Sequence, residues 1–202
     1  MSTSLAIIGL GLMGGSLGLA AKARGVVDRV TGYARREESR RDALARGVVD
    51  AAYDTPGDAV EGADFVVVCT PVLTMPDLVR SLRDRLAVGS IVTDVGSTKA
   101  FLAHELGAIL SGSPATFVGS HPMAGSEKTG LDVARADLYE SARVIVTPAE
   151  GETESVLERL TGLWAGVGAE VSVLSPEEHD AVIARTSHLP HLAAAALVAS
   201  ID

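Results

Sequence analysis

Aromatic residues are scarce in this chain: three Phe, three Tyr and one Trp amount to 3% of 202 residues. A core built without them rests on Val, Leu, Ile and Ala, and a hydrophobic content of 47% leaves ample material for one. Cationic residues are also short, 17 Lys and Arg against 26 Asp and Glu, for a net charge of −9. That balance excludes the basic footprint of a nucleic-acid surface. The single cysteine, Cys69, cannot close an internal disulfide, and its apolar setting (FVVVCTP) reads as a reduced, cytoplasmic protein. No stretch is long enough in apolar residues to cross a bilayer, so no membrane partner is expected. Residues 5–21 (LAIIGLGLMGGSLGLAA) imitate a secretion signal, but no Lys or Arg precedes them and five glycines interrupt them.

What is present is an alternation. Short β-branched runs at 4–10, 29–33, 64–70, 90–95, 116–120, 143–147 and 169–174 read as strands. Helical patterns near 12–24, 36–46, 74–86, 98–110 and 153–165 separate them. The runs are apolar throughout rather than alternating, as in strands buried on both faces, so an α/β fold with a mostly parallel sheet is expected. No repeat or low-complexity linker interrupts it.

Gly9-Leu10-Gly11-Leu12-Met13-Gly14 fits G-x-G-x-x-G between an N-terminal strand and a helix. Gly9 allows the tight turn, Gly11 lets a pyrophosphate approach the backbone, and Gly14 lets helix and strand pack closely. The helix start at Leu12 and Met13 offers free N–H groups to phosphate. The fingerprint reads residues 1–174 as a dinucleotide-binding domain of the Rossmann type. Cofactor choice lies at the end of the second strand, where a site for NAD usually has a carboxylate. Here Ala34, Arg35 and Arg36 follow Gly32-Tyr33. Two guanidiniums suit a 2′-phosphate, which favours NADP over NAD; the plainer reading is the start of a solvated helix face. Thr70, Pro71 and Ser97 follow the carboxyl ends of later strands, where open α/β sheets bind ligands. Ser97 can contact a ligand or cap the next helix, and the two roles are compatible.

A different region, residues 175–202, begins with a capping box: Ser175 at the N-cap, Pro176 in the first turn and Glu178 three residues on. It reads as one helix, kinked where Pro190 removes a donor from the Thr186 carbonyl. Its apolar end, AAAALVASI, needs a partner surface. Either it packs in a homodimer or the chain continues past Asp202 as a helical domain, and continuation is favoured.

The run GSHPMAGSEKTG (119–130) sets His121 just past a strand end, with glycines close behind. A histidine opposite a nicotinamide can accept the proton of an alcohol whose carbon gives up hydride. Position alone leaves a structural histidine equally open. His188 and His191 lie three apart on one helix face, but no third ligand accompanies them, so no metal is expected. Their plainer reading is helix surface or packing. His179 reads as structural, and His104 is given no role.

Taken together, GLGLMGGSLG, CTPV, DVGSTK, GSHPMAGSEKTG and HDAVIARTSHLPH resemble the prephenate/arogenate dehydrogenases of tyrosine biosynthesis. The motifs occur in order over nearly the whole chain. The resemblance implies an enzyme that oxidatively decarboxylates prephenate or arogenate with transfer of hydride to NADP or NAD. By it, His121 matches the catalytic histidine that hydrogen-bonds the ring hydroxyl of the substrate, and Ser97 a serine that contacts the same hydroxyl. Glu127 matches an acidic residue at the pocket mouth. The stretch holding His188 and His191 lines the substrate pocket and begins the dimerisation domain, and His191 leans towards prephenate. The family's carboxylate-binding arginine falls beyond this chain, and Arg185 is not given its role. Two other readings stay open: another oxidoreductase on the same scaffold, such as a hydroxyacid dehydrogenase, or a nucleotide-sensing module without catalysis.

Overall fold

The structure, a computed structural model, describes residues 3–200. Its first element, β1 (Ser4–Ile8), runs directly into the glycine turn and α1 (Leu12–Ala23). There follow β2 (Arg29–Tyr33), α2 (Glu37–Ala45), β3 (Ala51–Tyr53), α3 (Pro56–Val60), β4 (Phe65–Val68), α4 (Met75–Leu82), β5 (Ile91–Asp94) and α5 (Ala100–Leu110). Then come β6 (Thr116–Phe117), β7 (Gly119–Pro122), β8 (Arg143–Thr147), α6 (Glu154–Gly166) and β9 (Glu170–Val173). The chain closes with α7 (Pro176–Ile183), a π-helical turn (Ala184–His188) and α8 (Leu189–Ala199).

Six strands form a parallel sheet in the order β3-β2-β1-β4-β5-β6, which is the doubly wound dinucleotide-binding arrangement. The order reverses between β1 and β2 on one side and β4 on the other, opening a crevice at the carboxyl ends of these strands. Alternate residues of one strand serve opposite faces. On β1, Leu5 and Ile7 pack with α1 and with Leu160, Leu163 and Trp164 of α6. Ala6 and Ile8 pack with Met75, Val79 and Leu82 of α4 and with Leu102 and Leu106 of α5. Both faces are dry, which is why the strand sequences read as unbroken apolar runs.

The run 116–120, expected as one strand, divides. Thr116 and Phe117 pair in parallel with β5, whereas β7 leaves that sheet and pairs antiparallel with β8. With β9 parallel to β8, these make a second, three-stranded sheet. The switch falls at Val118-Gly119. A β-carbon at Gly119 would lie 2.5 Å from the Thr147 hydroxyl oxygen, so only glycine lets the two strands approach there.

Two short elements, β3 and α3, escape the hydropathy pattern because each is brief and only partly buried. The capping box at Ser175 forms as expected. The kink expected at Pro190 takes the form of a π-helical turn just before it. There the Leu189 N–H reaches back to the Ala184 carbonyl, a wider ring that adjusts the helix to the proline. Among the described residues, no helix is long and apolar enough to cross a membrane.

Candidate active site

Gly9 has φ +113°, a conformation that side chains avoid, and its N–H donates to the Tyr33 carbonyl at 3.0 Å. A β-carbon at Gly14 would sit 2.2 Å from the Gly9 carbonyl oxygen, so α1 can lie against the turn only with glycine there. A β-carbon at Gly11 would meet nothing within 4 Å, leaving its backbone open at the start of α1. The turn borders a cleft of about 640 Å³, lined also by Tyr33, Ala34, Arg35, Arg36, Ser39, Thr70, Pro71 and Thr74. Leu12 and Met13 begin α1 beside it, half-buried. Arg40 donates to the Ala34 and Arg35 carbonyls at 2.8 and 3.1 Å, fixing the loop that bears Arg35 and Arg36. Both arginines are exposed, and among the described residues neither enters an ion pair. Open glycine backbone, a helix start and free guanidiniums fit a dinucleotide.

A second constellation surrounds His121. Expected just past a strand end, it lies within β7, paired with Ile145 of β8, because the chain after Val118 goes on as a strand of the second sheet. The preceding residue, Ser120, has every polar group engaged. Its N–H donates to Asp94 Oδ1 at 3.2 Å, and its carbonyl accepts from Lys99 Nζ at 2.9 Å. Its hydroxyl lies 2.7 Å from that of Thr93 and accepts from the Trp164 indole at 3.0 Å. Asp94 closes β5 and forms a fully buried ion pair with Lys99. Burial pushes the Asp94 carboxyl up and the Lys99 ammonium down, and their mutual attraction opposes both shifts.

His121 is itself buried, and its Nδ1 lies 2.8 Å from Nε2 of His179, 58 residues away. His179 Nδ1 in turn lies 2.8 Å from Asp180 Oδ1. Asp180 also accepts the Lys99 and Ala100 N–H groups, at 2.8 and 3.0 Å. Burial pushes the Asp180 carboxyl up, but these two amides and His179 outweigh it and hold the group below the usual carboxylate value. Burial, followed by the positive charge of Lys99, pushes His121 down to about 4. The ring is therefore neutral near pH 7, with a lone pair available to accept a proton.

The remaining expected residues lie in different settings. Ser97 is exposed in the turn after β5, and its hydroxyl bonds to no other described residue. It does not cap α5, whose first amides are taken by Asp180. Glu127 is exposed in the loop between β7 and β8, with the Ser126 hydroxyl at 3.3 Å. That loop is tied down beyond Glu127: Tyr139 donates to the Met13 carbonyl at 2.8 Å, and the Arg135 N–H to the Ser16 hydroxyl at 3.0 Å. His188 is half-buried at the end of the π-helical turn. His191 is exposed on α8 and bonds back to the Ser187 carbonyl at 3.0 Å. Neither Ser97 nor His121 lines the dinucleotide cleft. His179 and Asp180 are the participants that sequence reasoning passed over. The one signal available, a His-Asp pair at a domain junction, says nothing of a partner 58 residues earlier.

The chain matches two family descriptions in succession: "Prephenate dehydrogenase, nucleotide-binding domain" over residues 17–173, and "Prephenate dehydrogenase, dimerization domain" over 175–202. It is 38% identical over 199 residues to the prephenate dehydrogenase of Bacillus subtilis, covering 98% of this chain and 53% of that protein. Among solved structures it resembles prephenate dehydrogenase from A. aeolicus in complex with hydroxyphenyl propionate and NAD+. The TM-score is 0.90 at 35% identity, over 99% of this chain and 69% of that one. It also resembles the arogenate dehydrogenase of Synechocystis, with TM-score 0.89 at 30% identity over 98% and 69% of the two chains. The present chain thus spans about half the length of the Bacillus relative. With motifs, fold and sequence in agreement over nearly all of its residues, the chain belongs to the prephenate dehydrogenase family.

Proposed function

We propose that this chain carries the cofactor domain and the first helices of an NAD(P)-dependent dehydrogenase of tyrosine biosynthesis. Residues 1–174 bind the dinucleotide, and residues 175–202 begin the helical part that binds substrate and forms the homodimer. The reaction is oxidative decarboxylation of a cyclohexadienol, prephenate or arogenate. The observation that carries this reading is the buried His121 on β7, packed against β5 of the sheet whose central strand β1 ends in the glycine turn.

A bound nicotinamide supplies the hydride acceptor. As hydride leaves ring carbon 4, the hydroxyl on that carbon becomes acidic, and His121 takes up its proton through the ring nitrogen not held by His179. The bond from carbon 1 to the carboxylate then breaks, and its electron pair enters the ring as carbon dioxide departs. The ring becomes aromatic, and the proton returns to the phenolic oxygen. A nicotinamide bound in the cleft would accept the one hydride, and the reaction would release no net proton. Ser97 contacts the same hydroxyl, Glu127 stands at the pocket mouth, and His188 and His191 border the substrate. The relatives include both a prephenate and an arogenate dehydrogenase, so the substrate rests on His191, which favours prephenate.

NADP is the favoured cofactor. Arg35 and Arg36 line the cleft where an NAD site places a carboxylate, and both guanidiniums are free to meet a 2′-phosphate. The test is reduced-nicotinamide formation by the whole protein, crossing prephenate and arogenate with NADP+ and NAD+ alongside a cofactor-binding control. Turnover with prephenate and NADP+ is expected. Cofactor binding with turnover on neither substrate would move the chain to another oxidoreductase chemistry or to nucleotide sensing.

A further inference from the structure

The proposed reaction needs one particular form of His121, with its proton on Nδ1 and its lone pair on Nε2. Nothing on β7 fixes that choice, because a neutral imidazole can carry its proton on either nitrogen. The choice comes from the C-terminal helix. Asp180 is acceptor-only as a carboxylate and already receives the first two amides of α5, which orient it. The His179 nitrogen 2.8 Å from Asp180 Oδ1 must then be the one that carries a proton. An imidazole whose single ring proton sits on Nδ1 presents its Nε2 as an acceptor. The atom 2.8 Å from it, His121 Nδ1, must donate. The rings meet edge-on, their centroids 5.1 Å apart and their planes at 67°, which lets one ring's N–H point into the in-plane lone pair of the other.

We propose that Asp180 and His179 are positioning residues for the His121 general base: through two hydrogen bonds they set its tautomer and hold its plane. The inference rests on the proposed reaction for its purpose, but not for its geometry. Both residues lie on α7, outside the nucleotide-binding unit that bears His121, and Asp180 also caps α5 of that unit. The base is thus in its working form only when α7 is docked on α5 and β7. A mispositioned α7 leaves the His121 Nδ1 proton without an acceptor and frees the ring to exchange tautomers.

Long-range ¹H–¹⁵N correlation of the histidine rings in the whole protein reads the tautomer directly. His121 is expected as the Nδ1–H form, with its resonance assigned by loss in His121→Asn. His179→Phe keeps a planar ring but removes the acceptor. It is expected to lower kcat at least about tenfold, within the about 10²–10⁴-fold that a positioned general base supplies. KM for substrate and cofactor should stay within about threefold. His179→Gln, whose side-chain oxygen can accept the same proton, is expected to recover most of the loss.

An Nε2–H form of His121 in the wild-type protein overturns the proposal. So does a His179→Phe protein with full kcat, or equal losses in the Phe and Gln variants, which would mark a role in packing alone. If His179→Phe fails to fold, the wild-type spectrum and the Gln variant decide. The Nδ1–H form in a protein that turns over neither cyclohexadienol overturns the proposed reaction and upholds the positioning.

Discussion

Burial, with Lys99 adding to it, holds His121 near a pKa of about 4, against 6.5 for a free histidine. Between these values the unfolded chain binds a proton that the folded chain refuses, so stability falls as pH drops from about 6.5 towards 4. Asp180 works in the same direction but lower: its depressed carboxyl contributes stability that is lost only as pH falls below the usual carboxylate value of 3.8. Between pH 7 and pH 5 the cost traceable to His121 is about 2 kcal/mol, one pKa unit being about 1.4 kcal/mol. Thermal unfolding of the wild type is therefore expected to shift down by several degrees over that interval, and that of His121→Asn by clearly less. Equal shifts would show that His121 is not the group that titrates. In turnover, His121→Asn is expected to lose about 10²–10⁴-fold in kcat while binding NADP+ as tightly as the wild type. A second pair of residues governs the cofactor. Replacing Arg35 and Arg36 together by Ala is expected to weaken NADP+ by about 10- to 100-fold, the range of a lost charge-assisted contact, and to leave NAD+ nearly unchanged. Equal effects on both, read by titration, would assign the two arginines to the helix surface instead.

At the scale of elements, the turn from β1 into α1 tolerates no side chain at Gly14. The Gly9 carbonyl and Ile7 both stand within van der Waals contact of the missing methyl, and neither belongs to a flexible surface group. Gly14→Ala is expected to destabilise by about 1–3 kcal/mol, the usual cost of overpacking, and to weaken dinucleotide binding with it. The single tryptophan, Trp164, is fully buried on α6 and its fluorescence follows unfolding in urea. An unchanged midpoint would mean that α1 can shift away from β1. The opposite condition holds on α8. Leu189, Leu192, Leu197 and Val198 are 62–69% exposed, an apolar surface that a helix in water does not keep uncovered. In the dimer proposed here they are covered by further helices or by the partner chain. Leu192→Glu together with Leu197→Glu is expected to turn dimer into monomer in sedimentation equilibrium while NADP+ binding stays intact. A dimer unaffected by both charges would place the interface elsewhere.

Over the whole molecule, two units meet at one carboxylate. Asp180 of α7 caps α5 and, through His179, reaches His121 on β7, so the cofactor unit and the helical segment share a hydrogen-bonded joint. The buried Asp94–Lys99 pair and the Ser120 contacts fix the nucleotide-domain side of that joint. Much of this architecture was legible in the residues. Unbroken apolar runs between amphipathic stretches announced a parallel sheet, the glycine spacing announced the turn at Gly9–Gly14, and Ser175-Pro176-Glu177-Glu178 announced the start of α7. These are local signals, written within a turn or a strand of the residue concerned. The division of 116–122 between two sheets was not legible, because it depends on Thr147 standing opposite Gly119, a neighbour brought there by pairing and not by sequence. The sequence by itself determined the glycine turn, the longer helices and the apolar strand runs, and that a histidine comes directly after the run 116–120. Only the tertiary structure decided that His179 and Asp180 bond to it, because their approach joins groups far apart in the chain and is set by how α7 docks on α5 and β7.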